Sequence, residues 1–138
     1  MNDIRLADFR AESLQFDMNH HFQPKKGENL PLSIKLDTRV RMSGTVKEPS
    51  FLNLRITVFD NAETNNYPFE IIADVTGVFF INAEGTDREA ILKDDGLKML
   101  LPYVRAMISQ LVSLANLPTP VILPPIDPSQ MKPAQQGE

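Results

Sequence analysis

The feature that most constrains the fold is a long apolar stripe between positions 97 and 115. Apolar residues recur there at spacings of three and four, which places them on one side of a helix. Such a stripe needs a surface to cover, and the chain upstream has the pattern of strands, so the helix is expected to pack on a sheet. The residues predicted to make helix or oligomer packing contacts are Leu97, Leu101, Val104, Ile108, Leu111 and Val112.

Four segments before the helix have the pattern of strands. Residues 32–43 alternate apolar and polar side chains, the period of two expected of a strand with one wet face. Phe51–Phe59 and residues 68–81 repeat this alternation and are predicted to pair as a hairpin. Ile4–Arg10 and Leu14–Met18 are predicted to form a strand that is either interrupted or bulged around Ala11–Ser13. The predicted class is therefore α+β, with a four-stranded antiparallel sheet and a long helix packed on one face.

The helical region is expected in two parts. Thr86 and Glu89 have the spacing of a capping box, which predicts a short helix from about Asp87 to Lys93. Gly96 is then expected to interrupt it before the long stripe begins.

The chain has 138 residues, 42% of them hydrophobic and 23% charged, which predicts one ordinary globular domain. The domain is predicted over residues 1–128, with a polar and disordered tail at 129–138. No apolar run is long enough to span a bilayer, so membrane insertion is not expected. The start lacks the pattern of a signal peptide and there are no cysteines, which favours the cytoplasm. A net charge of −4 argues against a nucleic-acid partner.

The motifs of catalysis are missing from the sequence. A nucleophile elbow, a phosphate-binding glycine loop, a zinc helix and a calcium loop have no match, so no enzyme activity, cofactor or metal is expected. His20 and His21 are adjacent, and neighbouring side chains of an extended backbone point to opposite faces, so they are interpreted as solvated loop residues rather than metal ligands. Asp94 and Asp95 are interpreted as a cap or a solvated turn rather than a carboxylate pair for catalysis.

Surplus apolar residues are the stronger indication of function. Phe51, Phe59, Ile72, Val78 and Phe80 fall on the strand faces opposite the main alternation, so both sides of the sheet carry apolar side chains while one long helix is available to cover them. Two explanations remain open at this point. The second face is either a homo-oligomer interface or a groove for extended apolar polypeptide.

Several short motifs, in their order and spacing, resemble the SecB family of preprotein-export chaperones. They are Leu52-Asn-Leu-Arg-Ile-Thr-Val58, Gly77-Val-Phe-Phe-Ile81, Leu101-Pro-Tyr-Val-Arg105, Leu117-Pro and Leu123-Pro-Pro. The resemblance spans about Ile4 to Ile126. It implies a homotetramer assembled from two dimers, which holds unfolded preproteins without ATP and passes them to the translocase motor SecA.

The resemblance also implies site residues. Ile34-Lys-Leu-Asp37 matches the second-strand motif that lines the client groove. The predicted client-binding residues are Ile34, Leu36, Phe51, Phe59, Phe80, Leu123 and Ile126. The predicted motor surface is Asp17, Glu70 and Asp74, whereas Ser13 and Ile72 stand where the family pattern has acids.

Three alternatives accompany this reading. Some SecB-like proteins protect the antitoxin of a toxin–antitoxin pair, which the altered motor surface leaves open. A purely structural oligomerisation module would bury all the surplus apolar surface in its own interface. An enzyme of the hot-dog thioesterase type also wraps a sheet around a long helix, but its helix precedes most of the strands, whereas here the helix follows all four.

Overall fold

The computed structural model describes residues 4–23, 33–83 and 87–115. Its strands and helices follow the predicted order. The strands are β1 (Ile4–Met18), β2 (Ile34–Arg41), β3 (Ser50–Val58) and β4 (Phe69–Ile81). The helices are α1 (Ala62–Asn65), α2 (Asp87–Ile91) and α3 (Leu97–Leu114), and a π-helical turn (Leu92–Gly96) joins the last two. Among the described residues, no helix is both long and apolar enough to cross a membrane.

All strand pairs are antiparallel, and the sheet has the order β1-β4-β3-β2. The predicted hairpin of β3 and β4 forms the centre of the sheet, and β1 and β2 are its edges. The long helix lies on one side. The predicted class, a four-stranded antiparallel sheet with a long helix on one face, is thus confirmed.

Two bulges keep the apolar side chains of β1 on one face. The predicted irregularity lies between Ala11 and Ser13, and a second one, which the sequence did not indicate, lies between Leu6 and Asp8. Each inserts one extra residue and so reverses which positions face the helix. Phe9 consequently lies opposite Gly77, on the same side as Leu6.

The prediction that Gly96 interrupts the helix is wrong. The chain is helical without a break from α2 through the π turn into α3. Gly96 has the helical dihedrals φ −62° and ψ −41°. Gly96 instead allows close packing of neighbouring side chains. A Cβ added there would lie 3.1 Å from Leu92 Cδ1 and 3.5 Å from Leu52 Cδ2 of the sheet. The contact with Leu92 is the tight one, so the missing side chain leaves room for Leu92 between the π turn and the sheet.

The core fills the space between the helix and one face of the sheet. Five of the six predicted packing residues of α3 are buried, and Leu111 is half-buried. They contact a sheet face whose side chains are almost completely enclosed, and the largest of these are Leu52, Leu54, Ile56, Val58, Phe69, Ile71, Val75, Phe79 and Ile81. We call this side of the sheet the helix face and the opposite side the outer face.

The segment between β3 and β4 has regular structure of its own. It contains α1, flanked by Asn61 and Asn66, both with positive φ. Asn19, which is buried at the end of β1, donates from Nδ2 to the carbonyl oxygens of Ala62 (3.2 Å) and Tyr67 (2.9 Å). One amide therefore ties the end of β1 to the β3–β4 connection.

Arg88 of α2 fixes the connection between β2 and β3. Its Nη1 donates to the Ser43 carbonyl (3.0 Å), and its Nη2 donates to Ser43 Oγ (2.9 Å) and to the Thr45 carbonyl (3.1 Å). A guanidinium presents several donors in a fixed fork, which suits this set of neighbouring oxygens.

Candidate functional site

The predicted client-binding residues do not all lie on the same face of the sheet. In an antiparallel pair, directly opposite residues share a face. Ile34 and Leu36 lie opposite Val58 and Ile56, so both point to the helix face, where Leu36 is buried in the core and Ile34 is half-buried. The structure therefore does not bring Ile34 and Leu36 together with the aromatic residues of the outer face.

The expectation that Phe59 shares a face with Phe51 is wrong. β3 ends at Val58, and Phe59 adopts a left-handed backbone conformation with φ 57°. That conformation breaks the alternation and turns the ring to the helix face, where it is only 5% exposed. Its ring centroid lies 4.7 Å from that of Tyr67 and 5.2 Å from that of Phe69. Phe59 is a core residue.

Phe51 and Phe80 do come together on the outer face. Phe51 lies opposite Val78, and Phe80 is the next residue of β4 on that face. All three side chains are half-buried. We call Phe51, Val78 and Phe80 the aromatic patch.

Arginines surround the aromatic patch. The Cζ atom of Arg5 lies 5.0 Å from the centroid of the Phe80 ring, within the range of a cation–π contact. Arg41 lies opposite Phe51, and Arg39 is the next residue of β2 on the same face. All three arginines are exposed, and within the described part of the chain none of them forms an ion pair with a carboxylate.

The predicted motor residues gather at the other end of the outer face. Asp17 lies opposite Glu70, and Asp74 follows on β4 with Ile72 between them. The oxygens of two of these carboxylates have partners within the chain. Glu70 Oε2 accepts from the Asn61 backbone N–H (2.8 Å), and Asp74 Oδ1 accepts from Asn53 Nδ2 (2.6 Å). Beside them, Asp17, Glu63 and Glu70 line an open depression of about 300 Å³.

A second apolar surface lies between β1 and α3. The rings of Phe9 and Tyr103 stand with their centroids 4.5 Å apart at an open groove of about 580 Å³, which Met107 also lines. We call it the edge groove. Large apolar side chains are exposed along it and beyond its ends, namely Leu14, Met18, Tyr103 and Leu114.

Sequence reasoning missed the edge groove, although a signal was present. Tyr103, Met107, Leu111 and Leu114 recur at helical spacing beside the main stripe, so α3 is apolar over more of its surface than one sheet covers. The main stripe was sufficient to predict the helix, and the flanking residues were not assigned to a second surface.

The other candidate residues are placed as follows. His20 and His21 are exposed just after β1, and Asp94 and Asp95 lie in the π turn. Among residues 4–23, 33–83 and 87–115, no group of three or more histidine and carboxylate side chains is arranged to hold a metal ion. Leu123 and Ile126 lie outside the described residues.

The chain is similar to known proteins both in sequence and in structure. No family model matches the chain. The uncharacterized protein MJ0357 of Methanocaldococcus jannaschii is 28% identical over 129 residues, which cover 93% of this chain and 81% of that protein. A solved structure of the Mycobacterium tuberculosis SecB-like chaperone Rv1957, in complex with a ChAD peptide from the Rv1956 HigA1 antitoxin, superposes with a TM-score of 0.68. That match has 17% sequence identity and covers 90% of this chain and 91% of the other. The chain has a SecB-like fold.

Proposed function

We propose that this protein is a molecular chaperone that holds unfolded polypeptide segments without ATP. The observation that carries the proposal is the SecB-like fold, shared over 90% of the chain with a chaperone whose structure contains a bound antitoxin peptide. Binding of this kind needs apolar surface and backbone hydrogen-bonding groups rather than reactive side chains.

The aromatic patch and the neighbouring edge strand supply what such binding requires. Burial of about 100 Å² of apolar surface under a client contributes about 2.5 kcal/mol to the free energy of binding. β2 is an edge strand, so its free backbone groups beside Phe51 can hydrogen-bond with the part of a client that extends past the aromatic patch over this edge. Many weak contacts of this type favour non-native chains over a single specific sequence, which is the behaviour of a chaperone rather than of a receptor.

The edge groove is better suited to self-association. It follows β1, the 15-residue edge strand, and large apolar side chains stand exposed along it and α3. Exposed apolar surface of this kind marks a contact with another protein. In our proposal the β1 edge pairs with a second copy, and two dimers form a homotetramer whose several client sites multiply affinity through effective concentration.

Two cellular roles fit this activity. Protection of an antitoxin is favoured by the peptide in the structural neighbour, which derives from an antitoxin. Export of preproteins in the cytoplasm, with transfer to SecA through Asp17, Glu70 and Asp74, is the second candidate. It is the weaker one, because two of the three carboxylates already accept hydrogen bonds within the chain and Ile72 separates them.

The test is suppression of aggregation in the absence of nucleotide. A chemically denatured model protein is diluted into buffer with the wild-type chain or with the double variant Phe51→Ser/Phe80→Ser, and light scattering is followed. We expect the wild type to suppress scattering and the variant to need about five to ten times more protein, because the apolar contacts of the client are lost.

Val46→Ser provides the matched control, since Val46 is an exposed apolar residue that lies in neither the aromatic patch nor the edge groove. It should suppress aggregation as well as the wild type. Full suppression by Phe51→Ser/Phe80→Ser, with an unchanged oligomeric mass, would contradict the assignment of client binding to the outer face. A wild-type chain that suppresses nothing would contradict the chaperone function itself.

A further inference from the structure

The outer face is divided by charge. At the end that holds the aromatic patch, Arg5, Arg39 and Arg41 are exposed and lack carboxylate partners among the described residues. In the middle of the face the carboxylates of Asp37 and Asp74 flank Arg55, and at the opposite end lie those of Asp17 and Glu70. The whole chain carries a net charge of −4, so the positive charge at the end with the aromatic patch is opposite in sign to the charge of the chain.

The remaining charges near the patch do not cancel these arginines. Asp8 lies opposite Val78 and offsets one of the three arginine charges, but it forms no ion pair with any of them among the described residues, and its Oδ1 accepts from the Phe9 backbone N–H (2.8 Å). Arg10 forms its own ion pair with Glu12 (2.7 Å). The aromatic patch is therefore an apolar surface flanked by unneutralised guanidinium groups on both edge strands.

We propose that the aromatic patch selects polypeptide segments in which an apolar side chain stands between two carboxylates. This inference rests on the proposed function and specifies its client. Each apolar side chain of the client would cover Phe51, Val78 and Phe80, while its acidic neighbours would pair with Arg5 on one edge and Arg41 on the other. Guanidinium groups form charge-assisted hydrogen bonds with carboxylates, often two at a time.

Strand geometry sets the spacing of those carboxylates. β1 and β2 are separated by three strand spacings of about 4.8 Å each, and Arg5 lies one same-face position, about 6.8 Å, farther along the strands than Arg41, so their backbones are about 16 Å apart and the flexible arginine side chains can shorten the gap to about 14 Å. Same-face side chains of an extended peptide are about 6.8 Å apart, so residues i and i+4 also span about 14 Å. A segment that crosses the strands with acids at i and i+4 and an apolar residue at i+2 therefore matches the patch.

A nucleic acid fits the same surface less well. A long polyanion that followed the outer face beyond the patch would meet the carboxylates of Asp17, Glu70 and Asp74. It would also leave the aliphatic side chain of Val78 without an apolar partner. A short acidic and apolar peptide avoids both costs.

The test compares three fluorescein-labelled peptides of 11 residues by fluorescence anisotropy. Their central segments are Glu-Ser-Phe-Ser-Glu, Lys-Ser-Phe-Ser-Lys and Glu-Ser-Ser-Ser-Glu. We expect the first to bind about tenfold more tightly than either of the others, and to weaken as salt is raised. Arg5→Ala/Arg41→Ala should lower affinity for the first peptide by about tenfold, since two exposed charge pairs are lost.

Arg55→Ala is the matched control, because Arg55 is an exposed arginine on the same face but lies between Asp37 and Asp74. It should leave the first peptide's affinity within about twofold of the wild type. Equal binding of the glutamate and lysine peptides would overturn the inference. Tighter binding of a single-stranded thymidine oligonucleotide, or a fall in oligomeric mass in Arg5→Ala/Arg41→Ala, would also overturn it, in favour of a nucleic acid or of a second copy.

The two proposals fail in different ways. If no peptide shows a charge preference but the wild-type chain still suppresses aggregation of a denatured protein, the selectivity is wrong and the chaperone function stands. If neither peptides nor denatured protein bind, the chaperone function is wrong as well.

Discussion

The two faces of the sheet are built from the same strands but have different environments. On the helix face, Phe79 and Leu54 are completely enclosed. On the outer face, Phe80 and Asn53, each adjacent in sequence to one of those residues, are half-buried, and apolar, amide and charged groups are mixed. Strand alternation thus produces two surfaces from one segment. The helix face carries the stability of the fold, and the outer face is free to carry recognition.

The largest expected difference in stability between the two faces is at the adjacent residues Phe79 and Phe80. Phe79→Ala removes a ring from a closed core and should lower the free energy of unfolding by about 3–5 kcal/mol. Phe80→Ala removes a half-exposed ring and a cation–π contact with Arg5, so it should cost about 1 kcal/mol. Urea denaturation at one fixed protein concentration measures both, since association would otherwise shift the midpoint.

An equal cost for the two substitutions would show that the outer face is as closed as the helix face. In that case a second copy of the chain would be covering the aromatic patch, and a client could not reach it. The Phe80→Ala variant is also expected to bind denatured clients more weakly than Phe79→Ala does, at temperatures where both are folded.

The second effect tests how tightly each face is packed. A Cβ added at Gly77 would lie 2.7 Å from Phe79 Cε2 and 3.3 Å from Leu100 Cδ1, and both of those side chains are fully enclosed and cannot move away. Gly77→Ala should therefore destabilise the fold by about 1–3 kcal/mol. Thermal or urea unfolding gives the measurement.

The matched enlargement on the outer face is Thr57→Ile, which keeps a β-branched side chain and extends it next to Ile72. A change within about 0.5 kcal/mol is expected, because the half-exposed side chain can extend into solvent. If Thr57→Ile proved as costly as Gly77→Ala, the two faces would not differ in packing.

The sequence predicted the fold well because alternation and helical spacing are local signals. The strands, their pairing as a hairpin and the buried stripe of α3 all follow from side-chain periods of two and 3.6. Alternation shows which residues share a face, but it does not show which face the helix covers. Leu36 was predicted to bind clients because its motif resembles the second strand of the SecB family, and the structure places its side chain in the core.

At two positions a single residue departs from what the local sequence pattern predicts. Phe59 continues the alternation of β3 in sequence, but its positive φ turns the ring to the opposite face. Glycine usually breaks a helix, yet Gly96 lies in a π turn where an added Cβ would crowd Leu92 Cδ1 at 3.1 Å and would also touch Leu52 and Phe79 of the sheet. Both depend on contacts with distant residues, which a local reading does not contain. The arginine border of the aromatic patch likewise depends on strand order, because Arg5 and Arg41 come from opposite edges of the sheet.

The smallest expected effect concerns charge at the border of the outer face. Lys35 Nζ donates a hydrogen bond to Asp60 Oδ2, and this bond, with the charge of Asp60, raises the pKa of Lys35 above its ordinary value of 10.5. Because the pKa is higher in the folded chain than in the unfolded one, the stabilisation from this pair is fully present below pH 10.5 and is lost as the pH rises through the folded-state pKa. The pair is exposed to solvent, so the loss should be small.

The measurement is the urea midpoint of unfolding, followed from about pH 9 upward for the wild type and for Lys35→Met. The two midpoints should converge at the alkaline end. Lys98→Met, which removes an exposed lysine of α3, is the control, and its midpoint should stay parallel to that of the wild type. Parallel midpoints for Lys35→Met would mean that the pair adds nothing to the folded state, and that charges on the outer face contribute to recognition alone.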